Sequence, residues 1–295
     1  GEGYRLRITP DSLHIQASGK AGFYYALQTV RQLLPPDLRK DTNSQTQGWE
    51  LPCVEITDQP RFGYRGLMLD VSRYFIPKAT LLRTIDCMAL LKLNKLHLHL
   101  VDDNGWRIEI KKYPLLTEIG ASRVERPGKL FPERRNQRQG EPTVEKGFYT
   151  QDDIREIVAY AAARRIEVIP EIEMPGHSEE VLAVFPQLSC AGKAYVNSDF
   201  CIGNPETFIF LEDVLTEIMA LFPSEYIHIG GDECPKVRWK ECPKCQAKIR
   251  ELGLKDTPKH NKENRLQTYF MAEVGKVISE RGRKMLGWDE MLEGG

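Results

Sequence analysis

The chain has 295 residues, a formal net charge of −1 and a pI near 6.7. Its length suits one large domain, or one large and one small domain. The near-neutral charge argues against nucleic acid or an anionic membrane as the main partner, and polar residues interrupt every apolar run before it could span a membrane. We therefore expect a soluble protein; the composition leaves its oligomeric state open.

The first 60 residues predict a small α+β unit. Alternating apolar residues indicate strands at 4–8 and 13–15, joined as a hairpin, and a short strand at 53–56. Between them, residues 23–34 carry apolar side chains at helical spacing, and two prolines then end the helix. Because two strands and one helix make a thin core, we interpret residues 1–60 as the end of a small domain plus a linker.

From residue 61 the pattern changes to strands that alternate with helices. The predicted strands cover residues 67–71, 96–101, 168–172, 226–229 and 284–288. The predicted helices begin near Pro77, Thr150 and Pro205 and before Leu266, and a long loop precedes Thr150. This alternation predicts a parallel sheet with right-handed crossovers.

Two sheet closures compete, an open doubly wound sheet and a (β/α)8 TIM barrel. No glycine-rich phosphate loop follows the first strand, which weakens a dinucleotide-binding sheet. A charged or aromatic residue ends every predicted strand, namely Asp70, Asp102, Glu173, Asp232 and Trp288. In a TIM barrel the ends of several strands contribute residues to one site, so this pattern favours the barrel. Only five βα units are present, so we expect residues 61–295 to be the N-terminal part of a catalytic TIM barrel.

Asp232 and Glu233 follow two glycines at the end of the fourth strand. In a close carboxylate pair one pKa rises while the other group stays charged, which supplies an acid and a fixed anion. Glycoside cleavage needs this combination. The simpler interpretation is a solvated acidic pair in a loop, but the preceding glycines and the other acidic strand ends favour a site.

The segment His228-Ile-Gly-Gly-Asp-Glu233 resembles the signature of the family 20 glycoside hydrolases, the β-N-acetylhexosaminidases. The resemblance extends over nearly the whole chain. Further segments similar to barrel strands of that family are residues 64–74, 96–107, 170–177 and 286–290. Residues 4–34 resemble the end of the small α+β domain that precedes the barrel in the family.

The resemblance implies an exo-acting, retaining glycosidase that removes terminal β-linked N-acetylhexosamine, with glucosamine or galactosamine configuration. In this family the 2-acetamido carbonyl of the substrate attacks the anomeric carbon and gives an oxazolinium intermediate, an exception to the two-carboxylate scheme. Carried over, Glu233 is the general acid and base, and Asp232 orients the acetamide nitrogen. The implied partner is a carbohydrate substrate, and no cofactor or metal is implied.

Four further residues match positions that the family uses. The resemblance implies that Arg65 binds the 3- and 4-hydroxyls of the terminal sugar, since its fork of donors suits two adjacent oxygens. It implies that Asp102 and His177 tie the general acid into a hydrogen-bonded relay, and that Trp288 forms a wall of the acetamido pocket. The simpler alternatives are a surface arginine, a turn cap, a loop histidine and a core tryptophan.

The remaining histidines and the seven cysteines have structural interpretations. His97, His99 and His228 are expected to be satisfied polar residues of the barrel interior rather than metal ligands. Three thiols lie close in sequence after the acid pair, at Cys234, Cys242 and Cys245. Their spacing could suit zinc, but no fourth ligand is evident, and a disulfide or free thiols are preferred.

The resemblance makes a Cys190–Cys201 disulfide plausible, and we expect an exported protein, periplasmic, cell-surface or secreted. In the family, later barrel strands supply a tyrosine, acidic residues and another tryptophan that cannot be placed here. We therefore expect a piece of a longer protein, and poor activity or aggregation of a chain that ends at Gly295. Two other functions remain as alternatives, a carbohydrate-binding protein without turnover and a metal-dependent hydrolase.

Overall fold

The structure is a computed structural model that describes residues 1–35, 50–124 and 145–295. Its strands are β1 Tyr4–Ile8, β2 Leu13–Ala17, β3 Val54–Asp58, β4 Gly66–Asp70, β5 Lys95–Asp102, β6 Gly105–Trp106, β7 Ser122–Arg123, β8 Glu145–Lys146, β9 Glu167–Ile172, β10 Tyr226–His228 and β11 Lys284–Leu286. Its helices are α1 Lys20–Leu33, α2 Lys78–Leu90, α3 Leu115–Glu118, α4 Gln151–Ala163, α5 Glu179–Val184, α6 Pro205–Leu221, α7 Val237–Glu241, α8 Pro243–Glu251 and α9 Lys262–Glu280. Much of the predicted linker and loop, at 36–49 and 125–144, lies outside the described residues.

The described chain forms two compact units. The first comprises residues 1–67, 79–96 and 159–167, and the second comprises residues 68–78, 97–158 and 168–295. Because the first unit continues beyond residue 60, the boundary expected there stays a prediction.

The first unit contains a three-stranded antiparallel sheet with β1 in the middle, in the order β2-β1-β3. The buried face of β1 carries Tyr4, Leu6 and Ile8, which pack with Tyr25 and Ala26 of α1. Alternate residues of a strand point to opposite faces, so the alternating burial of β1 follows from its sequence. The predicted hairpin and helix are confirmed.

The other sheet has the order β11-β10-β9-β5-β4, and β6 pairs antiparallel with β5. The strand pairs β10–β11 and β9–β10 are parallel. Each successive βα unit therefore adds its strand beside the previous one. A doubly wound sheet reverses this direction at a switch point, whereas a barrel does not. The order confirms the predicted fold class, with five parallel strands of a (β/α)8-type barrel following a small antiparallel unit.

The helices predicted to begin near Pro205 and before Leu266 are α6 and α9. Pro205 occupies the first turn of α6, and the Asn204 side chain caps it by accepting from the Glu206 amide at 3.3 Å. In α9 the buried stripe runs through Leu266, Phe270, Val274 and Ile278. The segment between β10 and α9 contains α7 and α8, two helices for which the sequence analysis makes no prediction. No helix in the described ranges is long and apolar enough to cross a membrane.

Candidate active site

The site lies at the carboxyl ends of the parallel strands, within the second unit. Asp70 and Asp102 end β4 and β5, Glu173 directly follows β9, Asp232 follows β10, and Trp288 follows β11. Because parallel strands present their carboxyl ends at one edge, residues far apart in the chain meet there.

The acid pair sits on a strained turn after β10. Gly230 and Gly231 have φ of +69° and +97°, and Glu233 has a φ of 44°. Positive φ favours glycine, and at Gly230 space also requires it, because an added Cβ would lie 1.7 Å from Glu173 Oε2. The Trp288 amide donates to the Gly230 carbonyl at 2.8 Å, which ties the turn to the segment after β11.

His177 joins two pairs of carboxylates. Its Nδ1 lies 3.5 Å from Asp102 Oδ1 and 3.4 Å from Asp103 Oδ2, while its Nε2 lies 3.3 Å from Glu233 Oε2 and 3.6 Å from Asp232 Oδ2. Glu233 is the exposed member of this group, with 72% of its side chain accessible, whereas Asp102 is 2% accessible. The structure thus brings three of the predicted site residues, Asp102, Asp232 and Glu233, around the imidazole of a fourth, His177.

The surroundings keep this histidine charged. Burial alone would lower the pKa of His177, but hydrogen bonds to Asp102, Asp103 and Asp232 outweigh it and raise the pKa far above the ordinary value. Burial likewise opposes ionisation of Asp102, yet hydrogen bonds from His177 and His99 lower the pKa of Asp102 to about 2. The pair is therefore an imidazolium beside a carboxylate across the neutral pH range.

Arg73 is a site residue that the sequence interpretation missed. Its guanidinium contacts Asp70 at 3.1 Å and the buried Asp102 at 2.6 Å. It lies three residues beyond the end of β4, at the same edge of the sheet as His177. That position, a cation just past the carboxyl end of a strand, is the signal that could have identified it.

Arg65, the arginine predicted to bind sugar hydroxyls, precedes the amino end of β4 and belongs to the first unit. Its guanidinium contacts Glu2 at 3.0 Å, donates to the hydroxyl of Tyr25 at 3.1 Å and donates to the Lys92 carbonyl at 2.8 Å. These partners engage it at the end of the strand opposite to Asp70. This position disfavours the predicted role of Arg65 as a ligand of the substrate hydroxyls.

Glu171 organises the polar interior of the sheet. It lies 2.7 Å from His97 Nε2, 2.6 Å from His99 Nδ1 and 2.9 Å from His228 Nδ1, and it accepts from Trp288 Nε1 at 3.0 Å. All three imidazoles thus lie against one carboxylate, and the expectation that they bind no metal stays a prediction. The same contact fixes the indole edge of Trp288, which keeps 37% of its surface exposed.

Two buried groups in this interior have pKa values that their surroundings raise. Burial, reinforced by the charges of Glu171 and Asp232, raises the pKa of Glu173 well above its ordinary value. Burial lowers the pKa of His99, but hydrogen bonds to Asp102 and Glu171 prevail and raise it to about 9. We therefore expect a neutral Glu173 carboxyl and a protonated His99 at neutral pH.

The structure does not form the predicted Cys190–Cys201 disulfide, since all seven cysteines are free. Cys190 Sγ lies 3.6 Å from Cys245 Sγ, and Cys201 Sγ lies 3.6 Å from Cys242 Sγ. Two cysteines after α5 and two at the start of α8 thus form one group of four thiols. Cys234 is not a member of it.

A parallel sheet with a carboxylate pair at its strand ends is an arrangement that carboxylate-dependent hydrolases use. The family profile described as "Glycosyl hydrolase family 20, catalytic domain" matches residues 62–295. The profile described as "Glycosyl hydrolase family 20, domain 2" matches residues 1–59. The chain belongs to glycosyl hydrolase family 20.

Similar proteins carry related names. A beta-hexosaminidase of Porphyromonas gingivalis is 45% identical over all of this chain and 36% of its own length. One from Akkermansia muciniphila is 37% identical over 98% of this chain and 55% of its own length. The chain therefore spans about a third to a half of these relatives.

Two solved structures are similar over 99% of this chain. The β-N-acetylhexosaminidase of Bacteroides fragilis has a TM-score of 0.82 at 41% identity, with 53% of its own chain covered. The exo β-N-acetylglucosaminidase of Vibrio harveyi, in complex with N-acetylglucosamine, has a TM-score of 0.84 at 36% identity, with 45% of its own chain covered.

Proposed function

We propose that this chain carries the acid-base half of an exo-acting, retaining β-N-acetylhexosaminidase. The observation that carries the proposal is the placement of His177 between Asp102 and the pair Asp232–Glu233. The similar hydrolases and the N-acetylglucosamine complex of the Vibrio harveyi relative support the substrate class.

Glu233 is the residue that moves the proton. Its exposed carboxyl can reach a glycosidic oxygen, and its contact with His177 Nε2 positions it. In the first step it protonates the leaving oxygen, and in the second it takes a proton from the water that opens the intermediate. One carboxyl then serves as both acid and base.

Asp232 faces the substrate's acetamide. Its Oδ1 is buried and has no hydrogen-bond partner within the described residues. A buried carboxylate oxygen without a partner is costly, and an acetamide N–H would satisfy it. Accepting from that nitrogen orients the carbonyl oxygen toward the anomeric carbon and stabilises the positive charge of the oxazolinium.

The other groups set the charge of the site. Arg73 and His177 together keep Asp102 ionised, and the His177 imidazolium lies 3.6 Å from Asp232 Oδ2. Trp288, anchored at its edge by Glu171, presents an aromatic face that suits the methyl group of the acetamide. We keep Trp288 as the proposed wall of the acetamido pocket.

Hydrolysis of an aryl β-N-acetylglucosaminide by the full-length protein tests the proposal. The wild type should cleave it but not the matching aryl β-glucoside, which lacks the acetamide nucleophile. Glu233→Gln should lower kcat/KM by roughly 10²–10⁴-fold. Undiminished activity of Glu233→Gln would reject the assignment of the acid, and tight binding without turnover by the wild type would favour a carbohydrate-binding protein.

We also retain export of the full-length protein as a proposal. Fractionation of the native cells, with a cytoplasmic enzyme as marker, measures it. Recovery of the protein only with that marker would contradict export.

A further inference from the structure

Four cysteines from two segments converge in the second unit. The four residues are Cys190, Cys201, Cys242 and Cys245, and their Sγ atoms all lie within 4.8 Å of one another. Three of the cysteines are buried and Cys190 is half-buried. Such convergence of soft ligands in a largely dry pocket is the arrangement that binds zinc.

The sulfur separations fit a tetrahedron around one ion. The Cys190–Cys245, Cys201–Cys242 and Cys201–Cys245 pairs are separated by 3.6, 3.6 and 3.7 Å. With Zn–S bonds of about 2.3 Å, tetrahedral geometry places the sulfurs about 3.8 Å apart. A covalent sulfur pair needs roughly 2.0 Å, so the observed spacing suits a shared ion better than disulfides.

The backbone segments that bear the thiols pack closely against each other. Cys242 caps α8 and Cys245 lies in its first turn, which gives the Cys-x-x-Cys spacing of structural zinc sites. Gly203 packs against this turn so tightly that an added Cβ would lie 2.1 Å from the carbonyl carbon of Lys244. The Gly203 amide hydrogen-bonds Cys201, and such a donor stabilises a thiolate.

We propose that these four cysteines bind one structural zinc ion that clamps the segment after α5 to the start of α8 and thereby supports the two loops that bear His177 and the pair Asp232–Glu233. The residues after α5 connect to the His177 loop, because the Phe200 amide donates to the Pro175 carbonyl at 2.9 Å and the Ser178 amide to the Ser198 carbonyl at 2.9 Å. They also connect to α7, whose Trp239 Nε1 donates to the Phe200 carbonyl at 2.9 Å.

The two loops also meet directly behind the site. An added Cβ at Gly176 would lie 3.0 Å from the Asp232 carbonyl oxygen and 3.3 Å from Cys234 Cα. A clamp beside this contact would hold His177 at its distance from Asp232 and Glu233. The zinc has no role in the chemical steps, since none of its ligands belongs to the relay.

Metal content of the full-length protein tests the proposal. After purification under reducing, chelator-free conditions, we expect one zinc per chain in the wild type. The expected result is loss of that zinc in Cys242→Ser and Cys245→Ser and its retention in Cys53→Ser and Cys87→Ser. The control cysteines are exposed and lie outside the cluster.

If the serine variants do not fold, cobalt substitution of the wild type provides a second test of the zinc site that needs no variant. Co²⁺ should give the visible d–d bands and the thiolate charge-transfer band of a tetrahedral tetrathiolate site. The competing state, favoured in an oxidising compartment, is a pair of disulfides. Metal-free wild type with Cys190–Cys245 and Cys201–Cys242 peptides linked in non-reducing mass mapping would overturn the proposal, as would unchanged zinc in Cys242→Ser.

Discussion

His177 connects a buried carboxylate, Asp102, to an exposed one, Glu233. Its Nδ1 lies 3.5 Å from Asp102 Oδ1 and its Nε2 lies 3.3 Å from Glu233 Oε2. The two nitrogens lie on opposite sides of the ring. A change in the charge of one carboxylate therefore alters the electrostatic interaction of the imidazole with the other carboxylate. The proposed acid Glu233 is thus linked through His177 to a carboxylate buried in the sheet.

Replacing Asp102 with asparagine should expose this link. Without the Asp102 anion the pKa of His177 falls, so the imidazolium is lost at a lower pH. We expect kcat/KM to drop roughly 10- to 100-fold, a part of the 10²–10⁴-fold that general acid catalysis supplies. The alkaline limb of the pH–kcat profile should move to lower pH. A profile that keeps its wild-type shape would show that Asp102 does not act through His177.

The two arginines that flank β4 make a matched pair. Arg73→Ala removes the cation 2.6 Å from Asp102 and should lower kcat/KM at least about tenfold. Arg65→Ala removes contacts within the first unit and should leave kcat/KM near wild type while lowering the free energy of unfolding by roughly 1–3 kcal/mol. Kinetics and urea denaturation of both variants measure this. The reverse pattern would restore Arg65 as the substrate ligand.

The acid-base centre was predictable because it depends on strand ends. Asp102, His177, Asp232 and Glu233 each follow an apolar strand, and parallel strands bring such ends to one edge. Motif resemblance assigned the sugar-binding role to Arg65 and did not consider Arg73, although both lie close to the same strand. Their sides of the strand decide it, and only Arg73 follows the carboxyl end.

The sequence did not predict the group of four cysteines or the helices α7 and α8, because these features depend on tertiary contacts. Cys190 and Cys245 are 55 residues apart, and nothing in their local sequences links them. The residues of α7 and α8 are mostly polar, so their periodicity is weak. Burial of Trp239, whose indole donates to the Phe200 carbonyl, holds α7 in place.

His99 predicts a pH dependence of stability on the alkaline side. Its folded pKa of about 9 exceeds the ordinary value of 6.5, so its contribution is fully present below pH 6.5 and is lost as pH rises through 9. The loss amounts to the order of 3 kcal/mol for this nearly inaccessible side chain. The free energy of unfolding at pH 6.5 and 9 should therefore differ more in the wild type than in His99→Gln. Equal differences in the two proteins would contradict the protonated state of His99.

Asp102 predicts the opposite dependence on the acid side. Its folded pKa of about 2 lies below the ordinary 3.8, so its contribution is present above pH 3.8 and is lost as pH falls through 2. The acid-unfolding curve of Asp102→Asn should accordingly be shallower than that of the wild type. Coincident slopes would indicate that the carboxylate gains nothing from its partners.

Alanine substitutions at Gly230 and Gly253 distinguish the steric cost of an added Cβ from the conformational cost of a positive φ. Both have positive φ, +69° and +64°, but only at Gly230 does an added Cβ meet other atoms. Gly253→Ala should cost about 1–2 kcal/mol from backbone strain alone. Gly230→Ala must also displace the Glu173 carboxyl, so we expect a larger loss of stability and of activity. Similar unfolding free energies for the two variants would show that Glu173 does not occupy that space.

Substrate-assisted catalysis is tested most directly by changing the strength of the nucleophile, which is the acetamido carbonyl of the substrate. The full-length protein is assayed with one aryl β-glucosaminide series whose N-acyl group is acetyl, monofluoroacetyl, difluoroacetyl or trifluoroacetyl. If the acetamide carbonyl attacks the anomeric carbon, each added fluorine weakens the nucleophile, and kcat should fall steadily along the series. A kcat independent of fluorination, with chemistry shown to be rate-limiting, would contradict substrate-assisted catalysis at Asp232 and Glu233.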